Sequence, residues 1–230
     1  MELSYRQLEA CLQDFLSVHP DSVPTLRARI KQLQRMGFPE GVNSGRGIKV
    51  TYSGEQVFQL ATAFELISSG LSAEQAKKVV MGFWHKLKVG YALSSQYHLS
   101  QIKIFAVLVQ DHLGSIKRNL DQKTESPFGL GISDIFGINE MLESHHLKRP
   151  LAFSATLLLD LTTIFRRVMH SATNAGKVGR RLSDDPEIVS WRDEAISVNK
   201  KGWLTVQDFS HLIDPRKRIQ KEEEPIPEPK

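Results

Sequence analysis

The chain has 230 residues, 30 Lys and Arg against 26 Asp and Glu, and a single cysteine, Cys11. One thiol excludes an internal disulfide and cysteine-rich zinc sites, and it suits a reducing compartment. The opening MELSYRQLEACLQDF lacks the apolar stretch of a signal peptide, and no apolar run approaches the ~20 residues of a membrane span, so a cytoplasmic location and no membrane partner are expected.

In chain order, the first predicted helix has capping-box spacing at Ser4 and Gln7, with Leu3 and Leu8 placed as a hydrophobic staple. Tyr5, Leu8, Leu12, Phe15 and Leu16 recur at helical spacing, with Cys11 beside them as a packed thiol. His19-Pro20-Asp21 is expected to stop it. A second helix is predicted from about Ser22 to Met36, capped by Asp21 or Ser22, with Pro24 in its first turn and Gly37 as its stop. Leu26, Ile30 and Leu33 form its narrow apolar stripe. The segment FPEGVNSGRGIKVTY follows, turn-rich and ending in the alternation Ile48, Val50, Tyr52, which reads as a β-wing. Ser53 with Gln56, then Ser72 with Gln75, cap two further helices separated by SSGLS. Beyond about 88 the pattern is less regular. Ile102–Val109 and Leu151–Leu159 read as buried strands, the second running into a helix near Leu161–His170. The glycine-rich SPFGLGISDIFGINEML between them reads as loop followed by short helix. Trp191, Trp203 and Phe209 extend ordered structure to about Ile213, and PRKRIQKEEEPIPEPK reads as a disordered charged tail.

Charge is uneven along this order. Between Pro24 and Tyr52 stand Arg27, Arg29, Lys31, Arg35, Arg46 and Lys49, opposed only by Glu40. Such an excess suits a polyanionic partner and equally a solvated surface.

The order of elements from about 20 to 82 resembles the MerR-like winged helix-turn-helix family. Thr25-Leu26-Arg27 resembles the opening of its recognition helix. Arg46-Gly47-Ile48-Lys49 with Tyr52-Ser53 resembles its wing. Ser69-Gly70-Leu71-Ser72 with Glu74 resembles its turn before the next helix. Here the stretch Arg27–Gly37 is about one helical turn longer than the family's, and the wing has one extra residue. The resemblance implies double-stranded DNA as partner and a role in transcription regulation. The candidate DNA-binding residues are Thr25, Arg27, Arg29, Lys31, Gln34 and Arg35 on the helix, and Arg46 and Lys49 on the wing. Arginine can read guanine and an amide such as Gln34 can read adenine.

The expected fold is mainly α with some β. It comprises a winged helix-turn-helix over 1–88, a C-terminal α+β domain for dimerisation or an effector over 89–214, and the tail over 215–230. A homodimer is expected, held through the two apolar strands, with the transcription machinery or another protein as a further partner. No phosphate loop, dinucleotide fingerprint or serine elbow occurs, and Cys11 has no evident base, so no enzyme, cofactor or metal is expected. His145-His146 are adjacent and cannot chelate as i, i+4 residues do. Two other readings stay open: an excisionase-like or architectural DNA-binding accessory protein, and a protein-interaction module whose basic segment meets an acidic partner.

Overall fold

A computed structural model describes residues 2–42, 50–97, 103–110, 128–134, 138, 155–176, 186–191 and 193. The described chain is mainly helical with two small antiparallel sheets. Strand β1 (Glu2–Ser4) leads into α1 (Tyr5–Phe15). A 3-10 turn at Pro20–Ser22 precedes α2 (Val23–Arg35), and β2 (Thr51–Ser53) leads into α3 (Gly54–Ser68). Then come α4 (Ala73–Tyr97), β3 (Ile104–Gln110), β4 (Phe128–Asp134), β5 (Ala155–Asp160) and α5 (Leu161–Gly176).

The capping signals act as their spacing predicts. Ser4 and Ser53 each form a complete capping box, with Gln7 and Gln56 returning the bond. The Ser72 N–H donates to Gln75 at 2.9 Å, and its hydroxyl accepts the Gln75 N–H at 3.2 Å. Both staple pairs, Leu3 with Leu8 and Tyr52 with Val57, are fully buried. The caps of α2 differ from expectation: Ser22 is its N-cap but makes no side-chain cap bond, and Asp21 lies in the preceding 3-10 turn. Helix α1 also ends before His19, at Phe15, because Ser17 adopts a left-handed conformation (φ 52°). The Val18 N–H reaches the Gln13 carbonyl at 2.9 Å and the Ser17 N–H reaches that of Asp14 at 3.1 Å, a Schellman closure usually given to glycine. Gly37 (φ 72°) closes α2 in the same way, its N–H on Gln34 and that of Phe38 on Leu33.

Strand β1 pairs with β2, tying the start of the chain to the entry of α3. The second sheet has the order β4-β3-β5, all antiparallel. Cross-strand partners share a face, so Ala106, Ile132 and Leu159 lie together, as do Leu108 and Leu130; all five are buried in the main core. The strands predicted at 102–109 and 151–159 appear in their described parts as β3 and β5, while residues 102 and 151–154 lie outside the described residues. Strand β4 falls in the stretch read as loop. Glycines occupy positions 129 and 131 there, so Phe128, Leu130 and Ile132 alone carry the period-2 signal.

The boundary expected between 88 and 89 falls inside α4, which continues without a break to Tyr97. Helix α5 packs along α1 and α4, and one hydrophobic cluster joins Leu8, Leu12 and Phe15 to Phe165, Val168 and Met169. Cys11 is part of this contact: its thiol lies 3.9 Å from the Val168 carbonyl, and burial pushes its pKa up to about 12. Arg167 of α5 stacks over the Phe15 ring at 5.0 Å and donates to the Phe15 carbonyl, a cation at the negative end of α1. The described residues before and after position 88 thus share one core. The expected tail at 215–230 and the residues Trp203 and Phe209 lie outside the described residues.

Gly90 lets Leu161 and Ile132 pack closely against α4. A Cβ there would meet Leu161 Cδ1 at 2.3 Å and Ile132 Cδ1 at 3.3 Å, both on buried side chains. Alanine is the better helix former by about 1 kcal/mol, yet Gly90→Ala is expected to destabilise the chain. Overpacking a closed core costs about 1–3 kcal/mol. Urea unfolding should show a lower midpoint at unchanged slope; a raised midpoint would contradict this account.

Candidate nucleic-acid interface

Helix α2 buries one row, Leu26, Ile30 and Leu33, and exposes most of the rest. At about 3.6 residues per turn, the direction opposite that row falls on Ala28, Lys31 and Arg35, with Thr25 and Gln32 beside them. Thr25, Arg29, Lys31 and Arg35 are all exposed. Among the described residues, no acidic side chain makes a salt bridge with Arg29, Lys31 or Arg35, although the Lys31 charge acts on Glu9. The outward side of α2 is therefore a cationic ridge backed by an apolar stripe.

Arg27 and Gln34 are differently employed. Arg27 lies on the flank towards α1 and clamps Glu9 with two bonds, Nε to Oε2 at 2.7 Å and Nη2 to Oε1 at 2.6 Å. This bidentate hold keeps the Glu9 carboxyl below the usual carboxylate range, so the pair is intact at neutral pH and is lost only as pH falls through that lowered value. Gln34 is half-buried, and its amide donates to the Tyr52 hydroxyl on β2. Both side chains join α2 to its neighbours, which the expectation that they read bases did not foresee. Arg46 and Lys49 lie outside the described residues.

Beside the ridge an open cleft of about 560 Å³ separates Gln32 of α2 and its C-cap Met36 from Ser72, just before α4, and from Glu74 and Lys78 of α4. Lys77 crosses it to donate to the Met36 carbonyl at the end of α2. Lys78 pairs with Glu74 at 2.9 Å on the exposed side.

Among the described residues, no group of three His, Cys, Asp or Glu side chains comes together as a metal site would require. His98, His112, His145 and His146 lie outside them, and His170 stands on α5 beside Asn174. Among the described residues, no helix is long and apolar enough to cross a membrane. Compared with protein-family models and with curated proteins, the chain matches none.

Proposed function

We propose that the chain is a sequence-specific double-stranded DNA-binding transcription regulator that inserts α2 into the major groove and acts at the nucleoid in the cytoplasm. The observation that carries this reading is the ridge of Lys31 and Arg35, flanked by Arg29, on a helix whose opposite row is buried. A helix so divided can dock on its own core and offer its cations to a groove. The likeness of residues 20–82 to the MerR-like winged helix-turn-helix family supports the same reading, with Arg46 and Lys49 as wing contacts to phosphate.

A two-fold dimer on a palindromic site is part of the proposal, because one small reading head spans few base pairs. The two apolar strands no longer argue for it: Ile104, Ala106, Val107, Leu108 and Leu159 are buried, and among the large apolar residues of β3 and β5 described, Leu158 is the exposed one.

Full-length protein titrated into labelled duplex, selected from a random library, tests the reading. Affinity should fall steeply as salt rises, the log–log slope changing by roughly 0.9 for each phosphate neutralised. Sedimentation of the complex should give two chains per palindromic duplex. Absence of duplex binding at low salt rejects the function, while a single tightly bound chain rejects the dimer alone.

A further inference from the structure

We propose that Glu187, far along the chain, is a positioning residue for the DNA-reading end of α2; the inference rests on the DNA-binding reading above. Besides Lys77 on the Met36 carbonyl, two polar links hold that end. The Gln34 amide donates to the Tyr52 hydroxyl, and Tyr52 is fully buried two residues before α3 begins. Just past the helix, the Glu40 carbonyl accepts from Gln56 Nε2 at 2.7 Å. Arg35 lies between these anchors in sequence, and both anchors converge on one place, the junction of β2 with the first turn of α3.

Glu187 closes that turn. Its carboxylate accepts the Gly54 N–H at 2.9 Å and the Glu55 N–H at 2.6 Å, while the Gln56 N–H is taken by Ser53 Oγ at 3.2 Å. The first three amides of α3, which have no partner within the helix, are thereby satisfied at its positive end. Gly54 is shaped for this contact: a Cβ there would stand 2.4 Å from Glu187 Oε2. The carboxylate cannot simply step back, because Ile188 and Trp191 of the same helical stretch at 186–191 are buried. Trp191 packs edge-on to Phe58 and Trp84, with ring centroids 5.5 and 6.3 Å away. Trp84 in turn donates to Glu55 Oε1 at 2.6 Å. If the carboxylate is lost, two amides at the turn lose their partner and the turn that carries Tyr52 and Gln56 loosens. A reading side chain must be held to within about 0.5 Å to keep paired bonds to a base edge.

A double-mutant cycle on the full chain tests this, read as the affinity ratio between the selected duplex and a random one. Arg35→Ala alone should lower the ratio about tenfold, as for one paired contact to a base. Glu187→Gln alone should lower it by a similar factor, and the double variant should lose little more, since a misplaced Arg35 has nothing left to forfeit. Gly54→Ala, which evicts the carboxylate without altering it, should reproduce Glu187→Gln and carries the cycle if that variant loses its cooperative melt. Multiplying losses in the double variant, or an unchanged ratio in both Glu187→Gln and Gly54→Ala, overturn the inference alone. Failure of the unaltered chain to bind any duplex overturns the DNA-binding reading and this inference with it.

Discussion

Lys31→Ala combined with Arg35→Ala is expected to lower discrimination between selected and random duplex about a hundredfold or more. Each paired base contact is worth about 1–3 kcal/mol, and a tenfold change corresponds to about 1.4 kcal/mol. Arg29 stands to the side of the ridge, so Arg29→Ala should cost affinity for both duplexes alike, as a phosphate contact does. Arg27→Ala separates this geometry from one based on charge alone. The guanidinium of Arg27 is committed to Glu9. Its removal should therefore act through the α1–α2 junction, and Glu9→Gln should reproduce it, although that change makes the chain more basic. Competition anisotropy with the two duplexes measures all four. If Arg27→Ala abolishes discrimination while Glu9→Gln leaves it intact, Arg27 reads DNA directly and the ridge is misassigned.

The contrast between the buried row of α2 and the partner of Arg27 marks where the sequence is legible. Helix starts are local events: Ser4 with Gln7, Ser53 with Gln56 and Ser72 with Gln75 each meet within one turn, so their spacing alone announces them. The buried row of α2 is likewise visible in the spacing of Leu26, Ile30 and Leu33. The use of a surface arginine is not local. Glu9 lies 18 residues from Arg27, and Glu187 lies 133 residues from Gly54, so nothing near either position signals the contact. Glycine misleads for a related reason. Gly90 weakens the helical pattern, and the glycines of β4 hide its alternation. The reason for Gly90 appears only once Leu161 and Ile132 are brought against it. Strand β1 is three residues long and exists because β2 pairs with it, which no local pattern can reveal.

A chain ending at Tyr97, which retains α1 to α4, is expected to lose cooperative folding, although it holds every helix of the proposed DNA-binding unit. The cut removes α5, whose Leu161, Ile164, Phe165, Val168, Met169 and Ala172 are all buried. It also removes Trp191 from the edge of Phe58 and Phe165 from its face, where the rings stack at 5.5 Å. Burying one large apolar side chain contributes roughly 1.5–3 kcal/mol, and a domain's whole margin is about 5–15 kcal/mol. Five large side chains on α5 alone thus rival that margin. Their removal also uncovers the face of α1 around Cys11 and leaves the Phe15 carbonyl without Arg167. Circular dichroism of the shortened chain should show reduced helicity and a broad, shallow melt, and Cys11 should react rapidly with a thiol reagent that the full chain resists. Within the full chain, Phe165→Ala should cost about 3–5 kcal/mol, the usual range for emptying a buried aromatic site. A sharp melt with a protected Cys11 in the shortened chain would instead mean that α1 to α4 fold by themselves and that α5 is an addition to a finished reading head.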